Sequence, residues 1–400
     1  MSRASRSTKI IVLCIVLFTP LFLAPTVRAD GGAPNLAYVS GTTGISVIDV
    51  GKAKITRTLA VAGDPHTILL SQDGSVLYTT QPGIDQLAVL AAKTGQAICT
   101  ARVEGVPALL ALDQNRQMVY VGGSGSTQVR AFDALTCQLK HTFETGSPVA
   151  GLSLSFPASG GGVPGGADQL WVGGENMLSI FAPQTGRLLG RVALADGPQY
   201  LSIPPGSATV YVTTRAGTVD AVARQSHAVF QLLQGGSFGT MDYDALSDEV
   251  YVPDARHNVV DVLAPIDPEM STLPPEPEHV FHLPASPQSV AITNEGQLGF
   301  VAMRGGSVSM LDILGRQIIY TVFVGGTPHF IITGLYPPAL VPKPPSASVQ
   351  VIRQQPIVGR VFWIALVAVL LLIAGLALFF MRWRWIRERI RPTGRSRPPG

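Results

Sequence analysis

The feature that most constrains this chain is a self-similarity with a period of about forty residues. An aromatic residue followed by a β-former recurs at Tyr38-Val39, Tyr78-Thr79, Tyr120-Val121, Trp171-Val172, Tyr211-Val212, Tyr251-Val252 and Phe300-Val301. The steps between them are 40, 42, 51, 40, 40 and 49 residues. A second marker, small residue-x-Pro, stands at Gly63-Asp64-Pro65, Gly105-Val106-Pro107, Gly146-Ser147-Pro148, Ala285-Ser286-Pro287 and Gly326-Thr327-Pro328. Gly197-Pro198 shortens it, and Gly236-Ser237-Phe238 degrades it. Both long steps have a visible cause, an insertion at 157–167 (PASGGGVPGGA) and a Pro- and acid-rich one at 264–278.

Each repeat reads as four short alternating runs. In the second repeat these are residues 66–70, 76–80, 86–90 and 96–103, with Gln72-Asp73-Gly74 and Lys93-Thr94-Gly95 as hairpin turns. Four strands per forty residues, without an amphipathic helix between them, describe the blade of a β-propeller. A Greek-key sandwich offers no reason for seven equal periods. The array opens at Leu36-Ala37-Tyr38-Val39, a second strand without a first, and ends at residues 328–333, a first strand without a second. Pairing the two completes a seventh blade and removes the open edges. The predicted fold is thus all-β, a seven-bladed β-propeller closed by its N- and C-terminal strands, with one C-terminal transmembrane helix. The 42 glycines and 31 prolines suit such a turn-rich chain. A charged fraction of only 14% argues against disorder.

The transmembrane expectation comes from the chain ends. Residues 1–29 have a basic start, an apolar run containing Pro20 and a small-x-small site at Val27-Arg28-Ala29, the pattern of a signal peptide. Residues 30–334 form the propeller and 335–360 a Pro-rich linker. Residues 361–381 carry no charge, enough to span ~30 Å of hydrocarbon as a helix. Residues 382–400 hold seven arginines against Glu388 alone, which places this tail in the cytoplasm and the propeller outside. The formal charge of +3 hides this division, because residues 30–340 hold 15 basic and 25 acidic side chains, a net of −10. An acidic ectodomain excludes nucleic acid as a partner and favours neutral or cationic ones.

Tyr211-Val212-Thr213-Thr214 and Val47-Ile48-Asp49 carry a resemblance to the YVTN-type β-propeller repeats of secreted and surface-layer proteins. The resemblance covers residues 34–334 and implies a seven-bladed propeller outside the cytoplasm. It implies no single activity, since propellers host lactonases, quinone- and haem-dependent oxidoreductases and pure binding modules.

Chemistry-bearing motifs are few. No C-x-x-C-H occurs, and no cofactor is expected. Gly235-Gly236-Ser237-Phe238-Gly239 spells G-x-S-x-G, but between two strands rather than before a helix, so it is set aside. Asp242/Asp244 and Asp248/Glu249 read as solvated turn residues. Cys99 and Cys137 fall on the outer parts of adjacent blades, which splay apart, so no disulfide between them is expected.

The residue after each proline marker starts an innermost strand at one mouth of the central channel. Around the ring these are His329, His66, Ala108, Val149, Gln199, Gly239 and Gln288. Gln288, His329 and His66 lie on consecutive blades. With Gln199 they are the candidate ligand-binding residues, expected neither to hold a metal nor to catalyse, because no acid stands among the seven. The expectation is a monomeric, membrane-anchored binding or protein-interaction module at the cell surface, for a protein or small ligand. The alternative is a lactonase-like hydrolase or quinone-dependent oxidoreductase working at this mouth. Both insertions lie at the other end of the inner strands, as does the chain's exit toward the linker. The mouth is therefore expected to face away from the membrane.

Overall fold

The computed structural model describes residues 36–157, 168–268 and 276–334. The chain divides into two units, Met1–Leu340 and Val341–Gly400, and all described residues belong to the first. Among them are seven four-stranded antiparallel sheets, with no helix long and apolar enough to cross a membrane. The expected signal, linker, membrane span and tail lie outside the described residues.

The sheets are the blades of a seven-bladed β-propeller. The innermost strand of blade 1 is Ile68–Leu70, and those of blades 2 to 6 are Pro107–Asp113, Gly151–Ser155, Pro198–Ser202, Asp242–Tyr243 and Pro287–Ile292. Blade 7 is composite. Its inner strand Pro328–Gly334 pairs with Leu36–Gly41, matching Tyr38 with Ile332 and Val39 with Ile331. Closure therefore joins the two ends of the repeat array as the sequence predicts.

The repeated aromatics explain the period. Each lies on the second strand of its blade and enters a different one of seven apolar clusters, each cluster shared by two adjacent blades. Tyr38 sits between blades 7 and 1, Tyr78 between 1 and 2, and Tyr120 between 2 and 3. Trp171, Tyr211, Tyr251 and Phe300 continue the series around the ring. None is more than 3% exposed. Turn chemistry follows the sequence too: Gly74 and Gly95 take φ of 70° and 74°, which tight turns favour and only glycine adopts freely.

One expectation is overturned. Cys99 and Cys137 form a disulfide, with Cα atoms 5.9 Å apart. Cys99 lies on the outermost strand of blade 1, Ala97–Arg102. Cys137, however, lies in the turn that precedes the outermost strand of blade 2, Leu139–Glu144, with a left-handed φ of 56°. That turn is drawn toward blade 1 and buries Cys137 in the cluster shared by the two blades. The bridge runs from strand to turn, so the splay of the outer strands does not prevent it. Of the acidic residues of blade 5, Asp248 is exposed as expected, but Asp244 and Glu249 are not solvated. Asp244 is 5% and Glu249 7% exposed. Asp244 accepts from the Leu246 amide and the Ser247 hydroxyl, and Glu249 accepts from Tyr251 and Arg316.

Both insertions are rooted against blade 4. Arg224 pairs with Asp168 at 2.9 Å and donates to the Phe156 carbonyl, on the two sides of the first. Thr209 and Tyr211 hydrogen-bond the backbone of Ile266 at the start of the second.

The bridge closes a long loop, 38 residues in sequence separation. Loop-closure entropy then predicts that reduction, or Cys99→Ser with Cys137→Ser, lowers stability by up to about 4 kcal/mol. Urea unfolding with and without reductant measures this, and a midpoint indifferent to reductant would show that the bridge carries no stability.

Candidate functional site

The structure places His66 and His329 together at the predicted mouth. Their rings stack with centroids 5.1 Å apart and planes 14° from parallel. The register of blade closure sets this contact. Ser40, on Leu36–Gly41, donates to the His66 and Phe330 carbonyls and so ties the starts of two inner strands. Asp64, from the small-x-Pro marker itself, accepts from His329 Nε2 at 2.9 Å. No acid stands among the residues that follow the prolines. The partner stands one residue before proline, on the neighbouring blade.

The two histidines differ electrostatically. Burial first, and the facing His329 second, push His66 down to about 4, against the opposing pull of Asp64 and the Ala108 backbone. His66 is thus a neutral ring at physiological pH. The glutamines do not join this pair. Gln288 turns its amide onto the Pro287 carbonyl at 2.9 Å, and Gln199, on blade 4, bonds Tyr200. Gly239 is at the mouth for a backbone reason, because a Cβ there would stand 2.2 Å from the Gln288 carbonyl oxygen. Thr240 and Ser289 form a parallel bridge beside it, joining blades 5 and 6.

No nucleophile is poised for these imidazoles. Thr67 Oγ1 is 3.4 Å from His66 Nδ1, yet it donates to the Ala108 carbonyl, and Ser40 donates to carbonyls as well. A second His–Asp pair, His257 with Asp254, lies near the G-x-S-x-G segment. Asp254 accepts from the Ser237 amide, and no hydrogen bond links the Ser237 hydroxyl to the imidazole. Among the described residues no group of three His, Cys, Asp or Glu is arranged to hold a metal ion.

A cavity of about 450 Å³ lies between blades 1 and 2, bounded by Asp73, Tyr78 and Leu135, and two more lie along the channel. One, of about 320 Å³, is walled mainly by inner-strand leucines of blades 1 to 4, with Tyr200, Met241 and Phe330, and reaches Gln114 and Phe156 beyond the strand ends. A second, of about 270 Å³, shares Leu69, Leu70, Met241 and Phe330 with it and adds Asp242, Tyr243 and Thr293. Neither is lined by His66, His329, Gln199 or Gln288. The alternating apolar inner strands were visible in the sequence, but the channel-facing register was not, because bulges at Pro107, Pro198 and Pro287 shift the alternation.

No protein-family model and no curated protein matches the sequence. Solved structures do share the fold. A functionally unknown protein from Desulfotomaculum acetoxidans aligns with a TM-score of 0.61 at 13% identity, over 76% of this chain and 100% of its own. Hydrazine synthase of Kuenenia stuttgartiensis gives 0.57 at 16% identity, over 68% and 89%. The β-propeller domain of Myceliophteria thermophila Cps50 (Swd1) gives 0.55 at 13%, over 67% and 88%. Identities this low speak for the propeller alone.

The depressed His66 predicts an acid sensitivity. Its ordinary value is 6.5, so between there and about 4 the unfolded chain takes up a proton that the folded chain refuses. Stability therefore falls as pH falls through that window. His66→Gln should reduce the loss between pH 7 and 4 by up to about 3 kcal/mol, at ~1.4 kcal/mol per pKa unit. Urea unfolding of both proteins at the two pH values is the measurement, and equal losses would count against a neutral, buried His66.

Proposed function

We propose that this chain is a membrane-anchored propeller of the YVTN type that displays residues 30–334 outside the cytoplasm as a non-catalytic binding module. The observation that carries the non-catalytic reading is the commitment of Ser40 and Thr67. Both hydroxyls beside the imidazole pair donate to backbone carbonyls and have no proton free for a base. Acyl transfer needs a nucleophile hydrogen-bonded to its base. The display reading is supported by the basic tail beyond the apolar run at 361–381 and by the signal-like start. The acidic charge of residues 30–340 favours neutral or cationic partners.

The mouth serves as a recognition surface in this reading. His329, oriented by Asp64, presents its remaining edge there beside the neutral His66. One observation favours the enzymatic alternative, namely that a carboxylate-oriented imidazole is also what a general base requires.

Two measurements test the proposal together. Protease added to intact cells should remove an epitope placed at the start of the propeller and spare one placed after Gly400. The full chain, incubated with γ- and δ-lactones and with quinone-linked electron acceptors, should show no turnover above buffer. Turnover abolished by His329→Ala would replace the binding module with the enzyme, and protection of the propeller epitope would reverse the topology.

A further inference from the structure

The two axial cavities meet at Leu69, Leu70, Met241 and Phe330 and so form one space along the channel, running from Thr67 and Thr240 beside the mouth to Gln114 and Phe156. Its two sides differ. On blades 1 to 3 the wall is mainly aliphatic, with Leu109 and Leu152 facing the space beside Thr67 and Ser153. On blades 5 to 7 it carries Asp242, at the end of a two-residue inner strand.

Asp242 is an unusual residue for that position. Its Oδ2 accepts from the Ile292 amide of blade 6 at 2.7 Å, and the Tyr243 amide also binds the carboxyl. A carboxylate has about four acceptor positions, so two amides leave room for another donor. Among the described residues no lysine, arginine or histidine lines either cavity. The titratable groups around the space are Asp242, Tyr243 and Tyr200, with Asp244 behind in the same hairpin. Its electrostatic character is therefore negative, which disfavours a carboxylate or phosphate ligand and favours a cation. The leucine wall disfavours a small hydrated cation and favours hydrocarbon.

We propose that the axial channel binds a small apolar amine, its hydrocarbon part against Leu69, Leu109, Leu152 and Phe330 and its ammonium group on the Asp242 carboxylate. The combined space falls in the range that encloses small organic ligands. The site begins next to the histidine mouth, at Thr67 and Thr240, without including either imidazole, and does not depend on where the chain is displayed. Binding is linked to protons. Burial pushes Asp242 up to about 7, with Asp244 adding to the shift and the two amides opposing it. An ammonium ion must therefore displace a proton from a large share of molecules below neutrality, and affinity rises with pH until the carboxyl is ionised.

Calorimetric titration of the full chain with hexylammonium, 1-hexanol and hexanoate separates the classes. At pH 8 the ammonium ion should bind at least tenfold tighter than the alcohol, and hexanoate should not bind. Asp242→Asn, which keeps an acceptor for the Ile292 amide, should bring the ammonium ion to the level of the alcohol. Ser153→Phe, which fills the aliphatic side, should abolish both. Should Asp242→Asn fail to fold, the wild-type chain still decides: hexylammonium affinity must rise several-fold from pH 6 to 8 while hexanol stays flat. Equal binding of alcohol and amine, a pH-independent amine, or no binding by either would overturn the proposal.

Discussion

Everything in this molecule depends on burying one face of each small sheet against its neighbour. A four-stranded sheet of strands five or six residues long cannot enclose a core by itself. Here each blade contributes one large aromatic, from Tyr38 around to Phe300, to the seam with the next. A ring side chain buries some 150–250 Å², and at ~25 cal/mol per Å² each seam is anchored by several kcal/mol from that residue alone. The seams are equivalent, so the ring must close for the first and last to exist. That is the physical reason Leu36–Gly41 and Pro328–Gly334 share a blade although nearly three hundred residues separate them.

The same constraint explains what could be read from the sequence. Seam aromatics recur at fixed spacing because the seam recurs, so blade number and closure were legible from residue type alone. Hairpin glycines such as Gly74 were legible because the left-handed backbone selects them chemically. Ala108, Gln199, Gln288 and His329 each stand second in an inner strand that opens on the marker proline, while His66, Val149 and Gly239 precede theirs. The partners of the mouth residues were not legible. Asp64 and His329 are 265 residues apart, and only the composite blade makes them neighbours. The disulfide was missed for a related reason. The repeat predicts where strands lie but not which way a turn leans, and Cys137 belongs to a turn.

Within the described residues, the seams form a rigid outer frame and leave the axis under weaker constraint. Inner strands contribute only part of their side chains to the interblade clusters, and several are short: three residues in blade 1 and two in blade 5. At the mouth, hydrogen bonds between blades take over from apolar packing. Ser40 to His66, Thr67 to Ala108, and Thr240 to Gln288 cross three different blade boundaries. Bulges lie next to Pro107, Pro198, Pro287 and Pro328. The channel is thus tied by these hydrogen bonds at the mouth and lined by larger side chains beyond it.

That asymmetry gives the mouth and the space beyond it opposite chemistry from one repeat. Where the strands are tied, the facing groups are imidazoles and amides satisfied by neighbouring backbone or by Asp64. Beyond the mouth, leucines line a space that sheet formation alone does not demand, and a carboxyl is held at about 7 by burial. Leucines facing a cavity forgo the contacts that core packing would provide. A carboxyl in low dielectric costs free energy unless it is protonated or paired. Neither choice strengthens the seams, and polar residues would hydrate such a space with less loss. Departures from local optimality concentrate where a chain does more than fold. In this propeller they concentrate on the axis, in a space that neither histidine lines.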